Sequence, residues 1–143
     1  MPWHLQCASS SAAEQNQIPQ LGFGVYQSPP EIVDRSVTSA LEAGYRHVDS
    51  AQWYFNEEEV GKAVASSSVG REKVFLTTKL GHAEGVVEKL QDSVKKIDAR
   101  GEGYVDLFLI HAPSAGPEKR PMQWKEMEAV VKSGKAKAIG VSN

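Results

Sequence analysis

Val105-Asp106-Leu107-Phe108-Leu109-Ile110-His111 is a nearly continuous apolar run that stops on a histidine. Its length and its β-branched and aromatic content suit a strand covered on both faces, as in a parallel α/β sheet. Working outward, the pattern recurs. Val74-Phe75-Leu76-Thr77-Thr78-Lys79 stops on a lysine, and Arg46-His47-Val48-Asp49 on an aspartate. Ala138-Ile139-Gly140-Val141 runs into Ser142 and Asn143. A polar group at the C-terminal end of each successive strand is how such a sheet gathers one site.

Helical periodicity fills the gaps. After Ser28-Pro29-Pro30-Glu31, which joins a capping-box spacing to prolines tolerated in a first turn, Ile32, Val33, Val37, Ala40 and Leu41 repeat at helical spacing. Gly44 fits the stop. A second helix starts near Asn56 and buries Val60, Ala63 and Val64. A third carries Val86, Val87, Leu90, Val94 and Ile97 on one stripe, and a fourth spans roughly 122–132 with Met127, Val130 and Val131 inward. The Pro/Gly-rich stretch 112–121 reads as a loop that shapes the site after His111. Leu21-Gly22-Phe23-Gly24-Val25 supplies a first strand. Strands thus alternate with helices from residue 18 to residue 143, as one domain, and residues 1–17 read as a loop or mobile extension.

Composition narrows the function. A net charge of -2 gives no basic field for nucleic acid or an anionic membrane. No apolar run approaches the roughly 20 residues of a membrane span, and no secretory leader is visible. The single cysteine, Cys7, suits a reducing, cytoplasmic setting. His4 and His82 form no metal-ligand pattern, so no metal is expected.

Several motifs together carry a family resemblance. They are Gly22-Phe23-Gly24, Tyr45-Arg46-His47-Val48-Asp49-Ser50-Ala51-Gln52-Trp53-Tyr54, Asn56-Glu57-Glu58-Glu59-Val60-Gly61, Thr78-Lys79-Leu80, Leu109-Ile110-His111 and Gly140-Val141-Ser142-Asn143. In this order and spacing the chain resembles the aldo-keto reductases. The resemblance implies a (β/α)₈ barrel and reduction of an aldehyde or ketone with NADPH, or sometimes NADH. Gly22-x-Gly24 is not a dinucleotide fingerprint, since a third glycine is missing at the right offset; close backbone packing at the first strand is the expected reason for both glycines.

The same resemblance implies a catalytic set of Asp49, Tyr54, Lys79 and His111, and the residue types suit the chemistry. Hydride delivery to a carbonyl carbon leaves charge on oxygen, which an acid must protonate. Tyr54 would be that acid. A free phenol, with a pKa of about 10, is too weak unless a neighbour such as Lys79 favours its phenolate. Asp49 would hold Lys79, and His111 would orient the carbonyl oxygen. Taken singly, each residue has a plainer reading as packing or solvated surface; their joint placement makes the case. The resemblance also puts Gly24, Val25, Tyr26, Asp49, Ser142 and Asn143 against the cofactor, and Tyr26, Trp53 and His111 against a small carbonyl substrate.

Departures are visible as well. Val25 stands where the family often has Thr, and Gly81 and Ala112 stand where many relatives carry Trp. A barrel of this type takes about 250 residues. The 143 residues here encode about five β/α units, an incomplete barrel whose open face is expected to bury itself against a second copy or a partner chain. The alternative to a reductase is a shortened relative that does cofactor-free acid/base chemistry on a carbonyl compound, or serves as a binding subunit.

Overall fold

The computed structural model describes residues 17–98 and 103–143. Most of the expected N-terminal extension, with His4 and Cys7, lies outside the described residues. The elements are β1 (Phe23–Gly24), α1 (Pro30–Glu42), β2 (His47–Asp49), α2 (Glu57–Ser66), β3 (Phe75–Leu80), α3 (Val86–Ile97), β4 (Val105–Ile110), α4 (Gly116–Lys132) and β5 (Ala136–Val141), with short 3₁₀ turns at Gln52–Tyr54 and Arg71–Lys73. All strand pairs are parallel, and the strands lie in chain order across one sheet.

One face of the sheet is roofed by the helices. Val48, Leu76 and Phe108 point that way and are fully buried. They share a single core with Val33, Val37, Val60, Leu90 and Met127. Burying each such side chain is worth about 1.5–3 kcal/mol against leaving it in water, so this layer dominates stability. The other face differs. Leu107 and Leu109 are only half-buried and Ala138 is exposed, so β4 and β5 are covered on one side, whereas β3 is buried on both, as expected.

Local chemistry explains most element ends. Gly44 at φ +101° and Gly134 at φ +74° follow α1 and α4 in the left-handed region that favours glycine. Two expectations need correction. α1 begins behind Pro29, and Ser28 makes no capping bond; its carbonyl is taken by Asn56 instead. α4 begins at Gly116, well before residue 122. Pro117 sits in its first turn, where the missing N–H costs nothing, and Pro121 is carried within the helix. In α4 Gln123 is buried while Val131 is partly exposed. Gln123 Nε2 donates to the carbonyl of His82, tying α4 to the loop after β3.

Among the described residues no helix is long and apolar enough to cross a membrane.

Candidate functional site

Register places the site. Gly24, Asp49, Thr77, Leu107 and Ala138 are successive partners across the sheet, so they form one row on the open face. Side chains repeat every second residue along a strand. Lys79 therefore lies one step above Thr77 on the same face, and His111 one step above Leu109, the partner of Lys79. The polar strand ends seen in the sequence converge at one rim.

Lys79 is the hub. Its side chain is 8% exposed, against 32% for that of Asp49. An ammonium has three donors, and all three are committed. They go to Asp49 Oδ1, to the carbonyl of Ser50 at 3.1 Å, and to Tyr54 Oη at 3.3 Å. The Asp49 charge offsets the cost of burying the ammonium. Tyr54 reaches the hub because the 3₁₀ turn Gln52–Tyr54 folds the chain back over β2, and Phe55 in the left-handed region ends that turn.

His111 completes the cluster. Its backbone N–H donates to the carbonyl of Leu80, continuing the β3–β4 pairing. Its ring meets Tyr54 edge-on at 5.5 Å and stacks against Trp53 at 4.5 Å. Burial lowers its pKa below the ordinary histidine value, and Lys79 lowers it further against the opposing charge of Asp49, which favours the neutral ring. Nδ1 is buried without a hydrogen-bond partner among the described residues. Leaving a buried N–H unpaired costs more than leaving a weak acceptor unpaired, which favours the tautomer protonated at Nε2. A neutral imidazole of this kind donates a hydrogen bond rather than a proton.

The remaining residues divide. Tyr26 is exposed and lies 5.1 Å from the Tyr54 ring. Asn143 Nδ2 donates to the His111 carbonyl at 3.0 Å and to Ser142 Oγ at 3.1 Å, so both residues stand at the His111 side of the rim. Val25 differs from expectation: its side chain is fully buried in the helix-side core, because β1 turns Gly24 rather than Val25 to the open face. The reason expected for the two glycines holds only for Gly22, where an added Cβ would come within 2.7 Å of the His47 ring. At Gly24 an added Cβ would meet nothing within 4 Å.

Two residues of the quoted motifs contribute in ways not assigned to them from sequence. Asn56 reads as a helix start, yet its side chain makes no cap. It accepts from Ser50 Oγ at 2.8 Å and donates to the carbonyls of Val25 and Ser28. It thereby ties the loop bearing Tyr26 to the strand end bearing Asp49. Gln52 Oε1 accepts from the Gly81 N–H at 2.8 Å. Among the described residues no cluster of three or more His, Cys, Asp or Glu side chains is placed to hold a metal ion.

Comparison with known proteins gives consistent matches. The model of the Aldo/keto reductase family matches residues 20–143. An aldo-keto reductase of Mycobacterium sp. (strain KMS) is 45% identical over 131 residues, covering 90% of this chain and 47% of the relative. The methylglyoxal reductase DkgA of Escherichia coli (strain K12) is 44% identical over 130 residues, covering 90% and 46%. Among solved structures, an aldo/keto reductase from Brucella melitensis superposes with a TM-score of 0.79 at 42% identity, over 88% of this chain and 50% of that one. A Bombyx mori aldo-keto reductase in complex with NADP gives 0.75 at 35% identity, over 87% and 46%. The chain spans about half the length of the relatives it matches.

Proposed function

The chain belongs to the aldo/keto reductase family, and on that premise we propose that it carries the proton-donating site of a reductase that converts a small aldehyde or ketone to its alcohol with NADPH. One observation carries the reading. The three donors of Lys79 are spent on Asp49, the Ser50 carbonyl and Tyr54 Oη, an arrangement that sets a buried cation, held by a carboxylate, beside the phenol that would give up the proton.

Each residue then has a task. Tyr54 Oη gives its proton to the carbonyl oxygen as charge develops there. Lys79 stabilises the phenolate left behind, and Asp49 keeps the ammonium in place. His111 Nε2–H donates to the same oxygen and fixes its direction. Tyr26 and Trp53 wall the space in which the substrate sits. Because the carbonyl is bound by a neutral imidazole, proton transfer is left to the phenol alone.

The residues present fit the nicotinamide end of the cofactor. Gly24 leaves open space in the row of Asp49. Asn143 and Ser142 bring a carboxamide and a hydroxyl together at the rim, a donor and acceptor set suited to another amide. When bound, the cofactor supplies the hydride; Asp49 would approach its ribose. The named relatives are reductases, which favours this reading over cofactor-free acid/base chemistry.

The test is NADPH oxidation by the purified chain with small aldehydes, beginning with methylglyoxal because of the E. coli relative's name. Tyr54→Phe keeps the ring and removes the acid. It is expected to lower kcat by about 10²- to 10⁴-fold while nicotinamide binding persists. A folded chain that binds no nicotinamide at millimolar concentration would sink the proposal.

A further inference from the structure

Gly81 follows Leu80 at the end of β3, and no step above uses it. An added Cβ there would lie 2.4 Å from Trp53 Nε1 and 2.5 Å from Trp53 Cδ1. Gly81 is not among the residues with positive φ, so space and not backbone freedom makes glycine necessary. The space is taken by the indole of Trp53, which arrives from the 3₁₀ turn one residue before Tyr54.

Gln52 secures the same crossing. Its Oε1 accepts from the Gly81 N–H, and its Nε2 donates to the Lys89 carbonyl at 3.0 Å and to Ser93 Oγ at 2.9 Å. The turn that carries Trp53 and Tyr54 is thereby fastened both to the loop after β3 and to α3. Beyond Gly81 the indole lies nearly parallel to the imidazole of His111, with centroids 4.5 Å apart and planes 29° apart.

His111 depends on that contact. Its Nδ1 has no protein partner, so no ring hydrogen bond at that nitrogen fixes the imidazole plane. Aromatic packing must do so: the Tyr54 edge on one contact and the Trp53 face on the other. Such ring pairs are each worth about 0.5–1.5 kcal/mol beyond area burial, enough to populate one orientation in preference to others.

We propose that Trp53 is the positioning residue that sets the plane of His111, and that Gly81 is the position that admits it. Any side chain at 81 evicts the indole, releases the imidazole and rebuilds the wall of the carbonyl pocket. The hydrogen-bonding angle offered to a substrate oxygen is therefore encoded in the turn after β2 and at the end of the neighbouring strand β3. The kinetic meaning of this inference rests on the reductase reading; its structural content does not.

The decisive measurement is proton NMR of the chain without cofactor, with the His111 ring resonances assigned through His111→Asn. Stacking on the indole holds those resonances upfield. Trp53→Leu is expected to move them downfield, and Gly81→Ala to move them the same way. The double variant should match Trp53→Leu alone, because the alanine has no indole left to displace. Trp53→Phe should return part of the upfield shift. Unmoved His111 resonances in a folded Gly81→Ala chain, or additive shifts in the double variant, would overturn the proposal. Should Gly81→Ala not fold, the contrast between Trp53→Leu and Trp53→Phe decides alone, equal shifts counting against it. In a turnover assay each single variant is expected to lose about tenfold in kcat, with the double no worse than either. A chain that folds and stacks but shows no turnover would count against the reductase reading and leave this one standing on the resonances.

Discussion

Gly24 and Lys79 show how single residues define this site by opposite means. Lys79 acts through contacts, with each of its donors committed. Gly24 acts through the absence of a side chain, since its row on the open face has room where a Cβ would point. That contrast separates folding from binding. Gly24→Val lies in a short edge strand and meets no neighbour, so urea unfolding should shift by no more than about 0.5 kcal/mol. Nicotinamide titration of the same variant should weaken at least several-fold, because the new methyls fill the open space in which we propose the ring sits. A variant that binds as tightly as the parent would remove Gly24 from the cofactor site. Lys79, Asp49 and His111 were legible as strand ends. The roles of Asn56, Gln52 and Gly81 were not, because a side chain that bonds across 30 residues leaves no local periodicity.

At the scale of elements, the polar layer below the site matters as much as the rim. Arg71, in the turn before β3, donates to the carbonyls of Val74 and Tyr104 and pairs with Asp98 at 3.3 Å and Asp106 at 3.0 Å. Its guanidinium carbon lies 4.1 Å from the centre of the Tyr104 ring. Asp106 on β4 also accepts from the Leu76 N–H on β3 and pairs with Lys137 on β5 at 3.1 Å. One buried carboxylate thus joins three strands. Asp106→Ala leaves Arg71 buried without that counter-charge, and a loss of about 3–5 kcal/mol in urea unfolding is expected. A loss below about 1 kcal/mol would mean the network is dispensable. Asp106 interrupts an apolar run, and in sequence it looks like a blemish in a strand, not the keystone of a charge network. The regular elements were easier. β4 covers its apolar run from Val105 to Ile110, and β5 starts two residues before the run Ala138–Val141. β1 and β2 are shorter than their patterns because pairing covers only part of each run. α4 was read short because Pro117 and Pro121 signal a loop locally, while packing of Met127 and Val130 in the core carries the helix through them.

For the molecule as a whole, buried titratable groups oppose one another as pH falls. His47 and His111 both have lowered pKa values, chiefly from burial. Their unfolded forms take up protons first, so the stability they permit is present above about pH 6.5 and lost on acidification toward their folded values. Glu57 is the reverse. It is 3% exposed, accepts from Thr78 Oγ1 at 2.6 Å, and burial raises its pKa. Its ionised form costs the folded state stability near pH 7, and that cost is relieved as pH falls through its raised pKa. Glu57→Gln retains an oxygen acceptor for Thr78 and has no charge to bury. The variant is expected to be more stable than the parent at pH 7 and to lose stability more steeply on acidification, with the two curves converging near pH 4. Parallel curves from calorimetry across that range would show that Glu57 does not titrate on unfolding.

The strand order of the sheet is also its order of synthesis. β1, β2 and β3 can pair as soon as each is made, and with β3 the chain already holds Asp49, Tyr54 and Lys79, the complete charge and phenol assembly. His111 comes one unit later, and Ser142 and Asn143, which we propose hold the cofactor's amide, one unit later again. A ribosome therefore adds this site in instalments, with the proposed acid made before the groups proposed to aim a substrate at it.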